Sequence, residues 1–194
     1  MKEVSALFVV KNSVYKKMGL NCYDIERNAL TFDNRGPIIA HPPCRSWGQL
    51  SHLCNYDKKE HQLTLWAIRK VRSCGGVLEH PVASKILGNY IPKPGIIDKY
   101  GGFTICINQH WFGHNCKKKT ILYICGCNPK DIPPHSLNFD YVTHTISQSR
   151  NINKSFAKKK ECSSAYRQKT PPRLADYLFQ IALICNPFSS LCYK

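Results

Sequence analysis

The sequence predicts an α/β domain with a mainly parallel sheet and helices on both faces. Short apolar runs alternate with segments of helical periodicity, the pattern of strand–helix–strand units. The 194 residues are enough for one domain with a real core. Hydrophobic residues at 43% and charged residues at 21% give a globular rather than a disordered composition.

The elements follow in order. Residues 5–10 read as a buried first strand. Asn12 or Ser13 then caps a short helix that ends near Gly19. Residues 20–25 read as a second strand with Asp24 at its C-terminal end, and Glu26 to Leu30 as a helical turn. Pro37 to Ala40 is a short strand running straight into His41-Pro42-Pro43-Cys44. Residues 58–74 carry helical periodicity through Leu63, Leu65 to Ile68 and Val71, and Gly75-Gly76 ends that helix. Val77-Leu78 is a further short strand leading into Glu79-His80-Pro81. Residues 85–101 hold Pro92, Pro94 and Gly95 and read as a long loop. Phe103 to Ile107 and Thr120 to Cys125 read as strands joined by residues 108–114. Residues 128–136 are Pro-rich loop, and 147–169 are polar and basic, with Lys158-Lys159-Lys160. The whole of 1–194 reads as one domain in which this Pro/Lys-rich stretch around 128–169 is expected to be partly mobile. Pro171-Pro172 opens a last helix with Leu174, Ala175, Leu178, Ile181 and Ala182 at helical spacing.

Charge narrows the partners. The net charge is +16, from 28 Lys and Arg against 12 Asp and Glu. Such an excess self-repels, so a polyanion (nucleic acid or a nucleotide phosphate) is the first partner to consider, against a merely solvated basic surface. No apolar run reaches membrane-spanning length, and the N-terminal run lacks the long core of a secretory signal. The expectation is a cytoplasmic protein with no membrane partner. The eleven cysteines are odd in number and irregular in spacing, which argues against a disulfide framework. Cys125-Gly126-Cys127 is C-x-C, and His114 with Cys116, or His52 with Cys54, would each supply only two zinc ligands. No metal is expected, and most of the cysteines read as small buried apolar residues.

Three places carry chemistry. Two prolines stiffen the backbone before Cys44, and His41 and Arg45 beside it would favour the thiolate, the nucleophilic form; an inert buried cysteine is the other reading. Glu79 ends an apolar strand, where partial burial would raise its pKa and let it donate a proton; an ordinary salt bridge is the other reading. Between Gln109 and Thr120, His110, His114 and Lys117 to Lys119 interleave with Trp111 and Phe112, which suits phosphate contact and base stacking. Asp24, Cys44 and Glu79 each follow directly on a predicted strand, so a parallel sheet would bring them to one edge, where ligands bind in such folds.

The order Pro42-Pro43-Cys44, Leu78-Glu79-His80-Pro81, Gln109 to Lys118, then Thr170-Pro171-Pro172-Arg173-Leu174-Ala175 resembles the motif order of cytosine-C5 DNA methyltransferases. The resemblance spans most of the chain in short motifs. It implies a Rossmann-like three-layer sandwich, methyltransferase-like in plan, with DNA or a nucleotide as substrate and S-adenosylmethionine as cofactor. Cys44 would attack C6 of the pyrimidine, Glu79 would protonate N3, and Lys118 would supply the basic group near the base. Asn21 to Ala29 resembles the family's second strand, which makes Asp24 the ribose ligand, with Phe8 and Pro42 beside the cofactor. His41, Arg45, Ser46, Trp47, His80, Gln109, His114, Lys117 and Lys119 would surround the base and its phosphates. Carbon 5 of cytosine is a poor nucleophile, and thiolate addition at C6 makes it an enamine carbon that can accept a methyl group. In duplex DNA the base must also be flipped out of the stack.

The sequence departs from that family in three places. No glycine stands between Phe8 and Gly19, the stretch between Cys125 and Thr170 is short for a target-recognition region, and lysines replace arginines after Gln109. Two other readings therefore stand beside the enzyme. One is a non-catalytic nucleic-acid-binding protein of the same fold. The other is a glycosylase-like or nucleotide-modifying enzyme with a pocket lined by His41, Trp47, His80 and His114.

Overall fold

The computed structural model describes residues 2–49, 51–53, 55, 58–135, 142–146 and 160–187. The elements are β1 Ser5–Leu7, α1 Val14–Lys17, β2 Asn21–Tyr23, β3 Ile38–Ala40, α2 Lys58–Cys74, β4 Gly76–Pro81, β5 Phe103–Asn108 and β6 Lys119–Cys125. The pair β7 His144–Thr145 and β8 Lys160–Glu161 follows, then α3 Ser164–Arg167 and α4 Pro172–Ile184. Six strands form one sheet in the order β2-β1-β3-β4-β6-β5. The pairs β1–β2, β1–β3 and β3–β4 are parallel, and β6 runs antiparallel between β4 and β5. The expected mainly parallel sheet with flanking helices is present.

Both faces of the sheet are covered, which is why its central strands read as unbroken apolar runs. Side chains alternate along each strand. Ala6, Ile39, Val77, Leu122 and Ile124 join Leu174, Ala175, Leu178 and Ile181 of α4 on one face. Leu7, Ile38, Ala40, Leu78 and Ile121 join Ala67, Ile68 and Val71 of α2 on the other. Each fully buried Ile or Leu stabilises by about 2 kcal/mol. The turn from α2 into β4 depends on glycine. Gly75 (φ 78°) accepts from the Ile38 N–H, and a Cβ at Gly76 (φ 118°) would lie 2.0 Å from the Ile38 carbonyl.

Several local expectations need correcting. The first strand stops at Leu7 because Phe8 turns into the left-handed region (φ 59°). The helical turn expected at Glu26 forms later, at Ala29–Thr31, because the Asp24 carboxylate first accepts from the Glu26 and Arg27 amides. The strand expected at Val77-Leu78 extends to Pro81, because β6 pairs with its whole length. Glu79 therefore lies within a strand. Cys116 is disulfide-bonded to Cys162, which removes it as a zinc ligand partner of His114. Cys44 and Cys106 are exposed rather than buried. The described parts of 128–169 include a turn at Pro129–Asp131, the β7–β8 pair and α3. Cys54, Lys158 and Lys159 lie outside the described residues. Among the described residues, no helix is long and apolar enough to cross a membrane.

Candidate functional site at the sheet edge

Parallel pairing puts the C-terminal ends of β1 to β4 on one edge, and the antiparallel β6 brings its N-terminal end, with Lys118, to the same edge. The strand order reverses direction at β1, between β2 and β3, and ligands of open α/β sheets bind at such a switch point.

Alternation along β4 sends Glu79 to the α4 side of the sheet and His80 to the α2 side. Glu79 is 12% exposed and both its oxygens are engaged. Oε2 meets His41 Nδ1 at 3.1 Å, and Oε1 accepts from Gln109 Nε2 at 3.0 Å. An ionised carboxylate only accepts, so His41 carries its proton on Nδ1. His41 Nε2 meets the Tyr15 hydroxyl at 2.9 Å, and Gln109 Nε2 also donates to Thr120 Oγ1 at 3.1 Å. A continuous polar chain thus runs from α1 through the ends of β3 and β4 to β6. Burial would raise the Glu79 pKa, but the His41 hydrogen bond and the charges of Lys118 and His41 outweigh it and hold the carboxyl at about 2. The expectation of a raised, proton-donating Glu79 is corrected: the group is a carboxylate.

Cys44 sits at the head of a 3-10 turn, Arg45–Trp47, and is exposed. Thr64 of α2 donates to the Pro43 carbonyl at 2.9 Å, and the Trp47 indole stacks on His61 at 3.6 Å, so the turn is pinned to α2. Loss of water around the sulfur and the Glu79 charge push the thiol up, against the pull of Lys118. The expected thiolate-favouring neighbours act elsewhere: His41 serves Glu79 and Tyr15, and Arg45 pairs with Glu60 of α2. Lys118 makes no ion pair among the described residues, although its charge is felt at Cys44, Glu79 and His114. A neutral thiol, a carboxylate and an uncommitted ammonium therefore meet at this edge, with Pro42 in the turn between His41 and Cys44.

Other expected residues are not at that point. Ser46 and Trp47 are buried under the turn. His80 is fully buried, and desolvation lowers its pKa to about 4, so it is a neutral imidazole near the Pro43 carbonyl. His114 is buried, accepts from the Cys116 amide at 3.0 Å and packs on Tyr166. Of the four residues expected to line one pocket, Trp47 lines a cleft with Ser46, His61 and Lys85, while His80 and His114 are buried. Phe112 belongs to the core and Trp111 stacks on His135, so neither ring is offered to a base. Lys117 and Lys119 are exposed on either side of Lys118. Sequence reasoning passed over Tyr15 and Thr120, whose roles come from contacts 26 and 11 residues away along the chain.

The surroundings of Asp24 do not fit S-adenosylmethionine as they stand. Asp24 Oδ1 accepts from the Glu26 and Arg27 amides at 2.9 and 3.0 Å, and Oδ2 is paired with Lys16. The Lys16 contact and the two amides hold the carboxyl at about 2, despite its burial. A ribose diol would have to displace Lys16. At the end of β1, Phe8 holds a left-handed conformation with its ring edge-on to Trp66 at 5.9 Å, in a stretch without glycine. No family model matches the chain, and a search of curated proteins finds no match.

Proposed function

We propose that this protein acts on a pyrimidine base of a nucleic acid or nucleotide, adding the Cys44 thiol to C6 with Glu79 facing the other side of the ring. It is read as a divergent relative of cytosine-C5 DNA methyltransferases. The observation that carries the reading is the convergence of Cys44, Glu79 and Lys118 on one sheet edge from three separate motifs. The 2-1-3-4 order of the first four strands, which doubly wound nucleotide-binding sheets also use, adds to it.

The protonation states fix how the step balances. Sulfur bonds to C6, the C5=C6 pair moves to form C4=C5, the C4=N3 pair moves onto N3, and N3 takes the proton that the thiol gives up. The ionised Glu79 stabilises the new N3–H instead of supplying it, and Lys118 offsets charge at the sulfur as the S–H bond breaks. The product is an enamine at C5. No methyl-transfer step is derived, because the Asp24 edge does not fit the donor.

The addition is tested without any donor. An enamine carbon takes up solvent protons, so the C5 hydrogen of cytosine in a short single strand should exchange for deuterium in D2O. Exchange that survives Cys44→Ser would end the proposal. A second reading, a nucleic-acid-binding protein without catalysis, is favoured by the raised Cys44 thiol, and it predicts salt-sensitive binding with no exchange.

A further inference from the structure

A cleft of about 590 Å³ adjoins the Cys44 turn, lined by Ser46, Trp47, Ser51, His61 and Lys85 among others. No carboxylate is among its described lining residues. Ser46 and Trp47 are 5% and 3% exposed, and among the described residues neither Ser46 Oγ nor Trp47 Nε1 has a hydrogen-bond partner. The indole N–H can only donate, so it calls for an acceptor that the described residues do not supply. At the rim, Lys85 Nζ donates to Ser51 Oγ at 3.0 Å and makes no ion pair among the described residues. The Ser51 hydroxyl, accepting from Lys85, keeps its own proton free to donate. The Lys85 amide donates to the Trp47 carbonyl at 2.9 Å, which fixes this rim to the turn that carries Cys44.

A site made of a cation, two hydroxyls and an indole N–H, with no acid among its described lining residues, selects an anionic oxygen ligand. We infer that the Ser46–Trp47–Lys85 cleft is a phosphate subsite that takes the phosphate of the nucleotide whose base lies against Cys44. This rests on the reading of Cys44 as the group that meets the base, and it names what holds the rest of the substrate. Phosphate contacts set position and orientation, which suits a subsite two residues along the same pinned turn.

The test is calorimetric titration of the full chain with deoxycytidine, dCMP, the trinucleotide d(TCT) and inorganic phosphate, repeated with Lys85→Gln and Ser46→Ala. The phosphate-bearing ligands should bind about tenfold more tightly than deoxycytidine, and Lys85→Gln should abolish that preference. Ser46→Ala removes a buried donor with no partner, so it should weaken phosphate binding while leaving the thermal midpoint unchanged or higher. A preference for dCMP identifies a free nucleotide as the phosphate source, and one for d(TCT) identifies a nucleic-acid backbone. Equal affinity for deoxycytidine and dCMP, or a preference untouched by Lys85→Gln, overturns the subsite. Cys44→Ser separates the two ideas: if the reading of Cys44 fails, deuterium exchange is independent of that residue, yet the phosphate preference is still measured.

Discussion

The two ends of the sheet edge hold their carboxylates in different ways. Asp24, after β2, is satisfied by its own neighbourhood: two amides within three residues and Lys16 eight residues before it. Glu79, in β4, is satisfied from 38 and 30 residues away, by His41 and Gln109, with Tyr15 and Thr120 behind them. Both carboxyls are held at about 2. The difference lies in what remains beside them. The Asp24 oxygens are consumed in closing a turn, whereas Glu79 stands next to a thiol and an ammonium that makes no ion pair among the described residues. A low carboxylate pKa therefore marks a local structural device at one end and an assembled site at the other.

The largest expected effect is on stability at Glu79. Its carboxyl drops from the ordinary 4.5 to about 2 on folding. A depressed carboxyl stabilises the folded state above pH 4.5, and that contribution is lost as pH falls toward 2. The shift corresponds to about 3 kcal/mol. Urea unfolding of Glu79→Gln should show a loss of that order at pH 7 and a flatter fall between pH 4.5 and 2. A variant as stable and as acid-sensitive as the parent would remove the contrast between the two ends.

A smaller effect is expected at Cys44. Glu79 raises its pKa and Lys118 lowers it. Alkylation mapped to Cys44 at pH 8 should speed up several-fold in Glu79→Gln and slow down several-fold in Lys118→Gln, since only the thiolate reacts. Equal rates in all three proteins would show that the three groups do not sense one another. The smallest signal belongs to the Asp24 end. Titration with S-adenosylmethionine should give no saturable heat, and saturable binding lost in Asp24→Ala would show that Lys16 yields its place.

How much of this was legible follows from range along the chain. The helix at 58–74, the last helix and the parallel strands could be read because their apolar spacing is local and both sheet faces are buried. Cys44, Glu79 and Lys118 could be read because short motifs mark them. Their protonation states could not, because these depend on partners such as His41 and Gln109 that only the fold brings together. Arg45 looked like a neighbour of Cys44 in sequence, yet α2 offers it Glu60. Trp111 and Phe112 looked like a stacking surface, and the core and His135 take both. The cleft beneath Ser46 and Trp47 joins residues from three segments, which no spacing signals.

The most direct test of the central claim is deuterium uptake at cytosine C5, followed by mass spectrometry of d(TCT) incubated with the protein in D2O at neutral pH. A gain of about one mass unit on the cytosine is expected, absent in Cys44→Ser and reduced in Glu79→Gln, because each exchange needs sulfur on C6 and a stabilised proton on N3. No uptake with the parent protein, or the same uptake with Cys44→Ser, would contradict it.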